Sequence, residues 1–234
     1  MSIADRLTEV RARIDRAARS AGRDPASVTL VAVSKTFPIA AVRQAYEAGQ
    51  RDFGENRVQE ALQKVGATSD LDIRWHLLGH LQTNKARKAA PAFAMIQSVD
   101  SVELLQKLDA AAAEAGHTPD LLIQVDLAGE ATKFGVPPAD VPRLLEAADV
   151  CGAARVVGLM TLPPLPEISE DARPWFRQLR DLRDGWLASG VPAAMLRHLS
   201  MGMSGDFEVA VEEGATLVRI GTRLFEGLCK LCGK

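Results

Sequence analysis

Lys35 stands at the end of a short, apolar, β-branched run, Val28 to Ser34, and Pro38 breaks the pattern three residues later. Such a run reads as a strand buried on both faces, as in a parallel sheet. An amine delivered at the carboxyl end of a buried strand stands where α/β proteins build their sites. Partly withdrawn from water, it attacks aldehydes to give a Schiff base, and it also suits a general base. The plain alternative is a solvated lysine at a strand end.

Two small-residue turns far downstream offer the complementary chemistry. Ser200-Met201-Gly202-Met203-Ser204-Gly205-Asp206 leads into a helical pattern, and Val218-Arg219-Ile220-Gly221-Thr222 closes another strand. Hydroxyls, glycines that let the backbone approach, and amides near a helix start together form an anion cradle. Capping of the helix by Ser204 or Asp206 uses the same geometry. An amine opposite a phosphate cradle points to a phosphorylated carbonyl compound. Arg219, two residues before Gly221, alternates into the interior, where burial would be costly without a purpose; an ion pair with Asp206 or Glu208 is the other reading.

The elements that must position these groups alternate between the two periodicities. Helical patterns cover Ile3 to Ala21, the stretch from Pro38 to Gly49, Arg57 to Val65, Gln82 to Ala89, Val102 to Ala115, Ala139 to Val150, about Glu170 to Ser189, and Phe207 to Glu213. Strand patterns fall at 28–34, 51–54, 73–78, 94–99, 121–126, 155–160, 196–199 and 216–220. About eight βα units with short connections predict one α/β domain over 1–234. The expected architecture is a single (β/α)8 TIM-type barrel with an extra N-terminal helix and a short cysteine-containing tail at about 228–234. An open doubly wound sheet fits less well, because no GxGxxG turn follows the first strand. In the barrel, Lys35, Glu55-Asn56, His76 to Gly79, Asp126, Met160-Thr161, Ser200 to Ser204 and Gly221-Thr222 all gather at strand carboxyl ends.

Composition sets the outer bounds. The chain has 234 residues, 47% hydrophobic and 25% charged, with a net charge of −2, as expected of a globular protein. That balance excludes an electrostatic footprint for nucleic acid or an anionic membrane. Lys85 to Lys88, the most basic stretch, reads as a solvated helix face. The N-terminal segment is charged and amphipathic rather than a leader, and no run approaches a membrane span. Cys151, Cys229 and Cys232 read as reduced thiols of a cytoplasmic protein. His76, His80, His117 and His198 lack the spacing of a metal site.

Several of these segments together resemble one family. They are Val33 to Thr36, Phe53 to Glu60, Trp75 to Lys85, Gly158 to Thr161, Leu199 to Ser204 with Asp206 to Glu208, and Val218 to Thr222. In order and spacing, from about residue 5 to 227, they are similar to the YggS/PROSC family, the pyridoxal phosphate homeostasis proteins. The resemblance implies a fold-type III barrel like the N-terminal domain of alanine racemase, with pyridoxal 5'-phosphate (PLP) on Lys35. It further implies that Ser200, Ser204, Gly221 and Thr222 hold the phosphate, with Asn56, His76 and Met160 beside the cofactor. Arg219 would face the pyridine nitrogen. Lys133 or Lys85 would be secondary PLP contacts, and apo-enzymes dependent on PLP would be recipients. Two departures stand out: Asp126 where an asparagine is usual, and Gly227 followed by the cysteine tail. Tyr46, the single tyrosine, falls mid-helix, so the second base of an alanine racemase is not in evidence. The expectation is therefore a monomeric carrier or regulator without turnover. The alternatives are a PLP-dependent racemase or decarboxylase of a small amino acid, with His76 or Asp126 opposing Lys35, and a cofactor-free aldolase.

Overall fold

The computed structural model describes residues 1–129 and 134–227. Lys133, Cys229 and Cys232 therefore lie outside the described residues. Eight strands close a parallel barrel in chain order: β1 (Thr29–Val33), β2 (Asp52–Glu55), β3 (Arg74–Leu77), β4 (Met95–Val99), β5 (Asp120–Gln124), β6 (Arg155–Met160), β7 (His198–Ser200) and β8 (Leu217–Ile220). Closure is made by β1 against β8, with Thr29 opposite Leu217 and Val31 opposite Arg219.

Among the described residues nine α-helices surround it: α1 (Ile3–Ser20), α2 (Ile39–Glu47), α3 (Val58–Ala67), α4 (Ala86–Ala89), α5 (Val102–Ala115), α6 (Val141–Asp149), α7 (Arg173–Ala188), α8 (Phe207–Glu212) and α9 (Thr222–Phe225). The extra helix is α1. Ser2 and Asp5 close a reciprocal capping box at its start, and Leu7, Val10, Ile14 and Ala18 form its buried stripe. That stripe packs against α2, α8 and α9.

Two expectations needed correction. The seventh strand runs 198–200 rather than 196–199, because Ala193–Leu196 takes a 3-10 turn after Pro192. The helix expected over 82–89 opens as a 3-10 turn, Thr83–Lys85, and only Ala86–Ala89 is α-helical. Pairing along β5 and β6 also shifts register between Leu121 and Leu122.

Apolar side chains divide into two populations. A large core lies between sheet and helices, with Phe53, Phe93, Phe176, Phe207 and Phe225 fully buried in it. A small second cluster, formed mainly by Val31, Met95, Leu122, Val157, Met160 and Leu217, fills the bore. Strand alternation then places Lys35, Asp52, Asn56, His76, Gln97, Gln124, Ser200 and Arg219 on the bore side, in phase with Val31, Met95, Leu122 and Leu217.

On the outer face, Glu213 ties α7 to the end of α8. Its carboxylate accepts from Arg173 (3.0 Å), Arg177 (3.1 Å) and Arg180 (2.7 Å). Burial alone would raise this carboxyl, but the hydrogen bonds from Arg177 and Arg173 outweigh it and hold it below its usual 4.5. A depressed carboxyl contributes stability that is present above its unfolded value and lost as pH falls through the folded one. Glu213→Gln should therefore lose stability at neutral pH yet fall less steeply in Tm than the wild type below 4.5. Equal slopes in a calorimetric pH series would contradict this clamp.

Candidate functional site

A cavity of about 990 Å³ opens at the carboxyl ends of the strands. Its lining includes Lys35, Asn56, Ser204, Arg219, Gly221 and Thr222, so six of the nine residues singled out from the sequence meet in one space. Gly79, His80, Gln124, Phe134, Leu165 and Asp206 complete much of its wall. A shallower groove of about 720 Å³ runs along α7 past Trp186, on the outside of the barrel and away from these groups.

Lys35 is exposed to the cavity, but the backbone around it is tightly held. On one side, the buried Ser34 hydroxyl donates to Glu55 Oε1 (2.6 Å), and Lys64 Nζ donates to the Ser34 carbonyl (2.7 Å). On the other, the Thr36 amide donates to Glu60 Oε1 (2.8 Å). Lys64 joins the two halves by bonding Glu55 (2.7 Å) and Glu60 (3.0 Å). Thr36 has φ +67°, the single non-glycine with positive φ among the described residues. A β-branched residue in the left-handed region costs roughly 1–2 kcal/mol, and the Glu60 hydrogen bond holds it there. Burial pushes the Glu55 carboxyl up despite the hydrogen bonds from Lys64 and Ser34, and its Oε2 is buried without a partner.

The opposite wall is made by the two small-residue turns. Ser204 Oγ accepts, at 3.4 Å, from the Gly221 amide, which brings the two small-residue turns together. Gly202 has φ +91°, and a Cβ there would come 2.5 Å from Ala210 Cβ, so this turn lies directly on α8. A Cβ on Gly221 would meet the Val33 carbonyl at 3.0 Å. Asp206 is buried beside the cradle and accepts from the Met203 amide (2.6 Å), with burial raising its carboxyl. Asp206 thus holds its own turn.

Arg219 lies between the two walls, 4% exposed. Its Nη1 donates to Ser200 Oγ (2.6 Å) and its Nη2 to the Thr161 carbonyl (2.8 Å). Burial pulls the guanidinium down to about 10, with the Asp206 charge opposing, which still leaves it protonated at neutral pH. Among the described residues no carboxylate is bonded to it: Glu208 pairs with Arg13 instead (2.5 Å).

The remaining three expected residues lie beneath this floor. Ser200 is fully buried, and its hydroxyl is engaged by Gln97 (2.6 Å) and Arg219, so it does not line the cradle. His76 is buried between Asp52 (3.1 Å) and Gln97 (3.0 Å). Met160 belongs to the bore cluster. Asp126 is also accounted for locally, because its Oδ1 accepts from the amides of Ala128 and Gly129. Lys85 falls in the 3-10 turn before α4 and is not part of the wall, and Tyr46 receives the Arg51 guanidinium on its ring outside the barrel. Among the described residues no cluster of three metal-ligating side chains occurs, and no helix is long and apolar enough to cross a membrane.

Comparison with known proteins finds relatives over nearly the whole chain. The family described as "Alanine racemase, N-terminal domain" matches residues 6–228. The pyridoxal phosphate homeostasis protein of Aquifex aeolicus is 45% identical over 225 residues, covering 96% of this chain and 98% of that one. Its counterpart in Pseudomonas aeruginosa is 46% identical, covering 96% and 95%. The chain belongs to the pyridoxal phosphate homeostasis family.

Among solved structures, PipY of Synechococcus elongatus with PLP bound superposes with a TM-score of 0.85 at 44% identity, covering 96% of this chain and all of that one. Alanine racemase of Bartonella henselae shares the fold alone, with a TM-score of 0.71 at 16% identity. The sequence sets Glu55 at a strand end but does not mark Asp52, Glu60, Lys64 or Gln97, each of which is a polar residue inside a strand or helix pattern. A polar residue in phase with the bore was the available signal.

Proposed function

We propose that this protein binds pyridoxal 5'-phosphate covalently through Lys35 and serves PLP homeostasis as a carrier or regulator, without turnover of its own. The observation that carries the reading is the meeting, in one cavity, of the Lys35 amine with the Ser204–Gly221–Thr222 donors and Arg219. The donor set suits this cofactor. The phosphate falls to Ser204 and the Gly221 and Thr222 amides, the ring nitrogen to Arg219, and Asn56 borders the ring.

PLP supplies an aldehyde, on which the Lys35 nitrogen forms a bond as water leaves. The chain's part is to hold that amine rigid. The Glu55–Lys64–Glu60 group fixes the backbone on both sides of it, so little freedom is lost on capture. Arg219 keeps its proton and gives the ring nitrogen a hydrogen bond without a proton, which leaves the ring a weak electron sink. A carrier needs no stronger one. His76 and Asp126, the candidate opposing bases of a racemase, are engaged elsewhere and do not reach the wall. Recipients in this reading are apo-enzymes that need PLP, in the cytoplasm, and the carrier acts as a monomer.

Borohydride reduction of the PLP-treated protein followed by peptide mass mapping tests the proposal. The label should fall on Lys35, and Lys35→Ala should neither colour nor trap. Labelling elsewhere, or none, overturns the site. Rapid exchange of an amino acid's α-hydrogen by the coloured wild type would favour the racemase instead. Colour appearing only with PLP also disposes of the cofactor-free aldolase.

A further inference from the structure

The bore contains a continuous chain of buried polar side chains that the cavity does not explain. It begins at the amino end of the barrel, where Arg74, the first residue of β3, pairs with Asp52, the first residue of β2 (2.8 Å to Oδ1). Asp52 Oδ1 meets His76 Nε2 at 3.1 Å, and His76 Nδ1 meets Gln97 Nε2 at 3.0 Å. Ser200 Oγ donates to Gln97 Oε1 at 2.6 Å, and Arg219 Nη1 donates to Ser200 Oγ at 2.6 Å. Five strands contribute links: β3 gives both Arg74 and His76, and β2, β4, β7 and β8 give one each. His76, Gln97, Ser200 and Arg219 are each no more than 4% exposed. Burying this many polar groups in a bore that apolar side chains could fill is costly unless every one is satisfied.

The directions of these bonds are mutually fixed. Ionised Asp52 only accepts, so His76 Nε2 carries the hydrogen, and in the neutral ring Nδ1 is then the acceptor. Nδ1 then takes a hydrogen from the Gln97 amide nitrogen, which turns the amide oxygen towards Ser200. The Ser200 hydroxyl gives its hydrogen to that oxygen and leaves its lone pairs for Arg219. Turning the Gln97 amide over would need a hydrogen on Nδ1 and would set an NH₂ group against Ser200. Asp52 is held as a carboxylate by the hydrogen bonds from His76 and Arg74, which outweigh the cost of its burial.

We propose that Asp52, His76, Gln97 and Ser200 form a positioning relay, polarised from Asp52, that presents an acceptor to Arg219 and fixes its guanidinium at the cavity floor. None of the first three touches the cavity, so they act on the ligand only through Arg219. The inference rests on the cavity being a PLP site.

Two readouts on the full chain test it. In the first, the ligand-free protein carries 15N-labelled histidine, and NMR near neutral pH should find His76 protonated at Nε2 with Nδ1 a hydrogen-bonded acceptor. A hydrogen on Nδ1 overturns the relay. The second is PLP release, followed by loss of visible colour on dilution. Gln97→Leu should speed release about tenfold, the value of one lost hydrogen bond, and shift the His76 Nδ1 resonance towards a free acceptor. Gln97→Glu keeps an acceptor for Ser200, so release should return to the wild-type rate while His76 gains a hydrogen on Nδ1. Faster release in Q97E as well as Q97L, or unchanged release in Q97L, defeats the proposal. Should Q97L fail to fold, Ser200→Ala removes a single oxygen from the same chain and should also speed release; an unchanged rate is then the defeating result. A wild type that never colours would sink the PLP assignment alone, because the His76 tautomer still decides the relay.

Discussion

Lys64→Ala is expected to destabilise the fold by about 3–5 kcal/mol and to abolish efficient capture of PLP at Lys35. Lys64 and Glu55 are 3% and 0% exposed and 2.7 Å apart, so removing the amine strands a buried carboxylate. The same amine bonds the Ser34 carbonyl and Glu60, which in turn holds Thr36 in its left-handed conformation. Both neighbours of Lys35 therefore lose part of their support in one substitution: Ser34 its carbonyl bond, and Thr36 the amine that steadies Glu60. Denaturant unfolding reads the first effect, and the rate of colour development with PLP reads the second.

The pH dependence of this variant has a definite sign. Burial already raises the Glu55 carboxyl, and losing Lys64 removes the hydrogen bond that most opposes the rise. A carboxyl with a raised folded pKa favours the fold below its unfolded value and loses that contribution as pH rises through the folded one. The defect of Lys64→Ala should accordingly shrink in acid below 4.5 and grow towards neutrality. The double variant Lys64→Met with Glu55→Leu should recover most of the stability, since apolar pairs replace buried ion pairs at little cost. Capture should stay slow in it, because Ser34 loses both of its bonds and the Glu60 carboxylate that holds Thr36 loses its own partner. A double variant that captures at the wild-type rate would remove the positioning role from this cluster.

The barrel, and the six of nine singled-out residues that line one cavity, are legible because each rests on local pattern. Strand ends, turn glycines and a lysine after a β-branched run are all visible within a few residues of one another. What escaped depended on the closure of the sheet. Ser200 stands one turn before Ser204 and looked like part of the same cradle, yet β7 ends on it and alternation turns it into the bore beside Arg219. Gln97 sits among Met95, Ile96, Ser98 and Val99, where nothing adjacent marks it. Its partners come from strands 21 and 103 residues away. Lys64 falls inside the helical pattern from Arg57 to Val65, where nothing local sets it apart, and only the β2–α3 packing brings it under Ser34. The displaced seventh strand has a simpler cause, since Pro192 starts a 3-10 turn that consumes the residues before His198.

Gly79→Ala should weaken PLP binding at least about tenfold and destabilise the fold by about 1–3 kcal/mol, the usual range for overpacking. A Cβ at Gly79 would stand 2.1 Å from the Asn56 carbonyl oxygen and 2.9 Å from its carbon. Both are backbone atoms, so no side-chain rotation relieves the clash; the β2–α3 turn that carries Asn56 must move. Asn56 and Gly79 both line the cavity, and Glu55, one residue earlier, anchors Ser34. The displacement thus reaches the ring side of the site and the Lys35 backbone together. The same substitution at Gly66 is the control: that residue is exposed in α3 with nothing near its Cβ position. Gly66→Ala should stabilise by about 0.5–1 kcal/mol through helix propensity and leave binding unchanged. Titration of both variants with PLP, beside their unfolding curves, separates the close approach at Gly79 from any general effect of an added methyl. Wild-type affinity in Gly79→Ala would mean that the Asn56 turn yields without disturbing the ligand, and Asn56 would then leave the list of residues beside the cofactor.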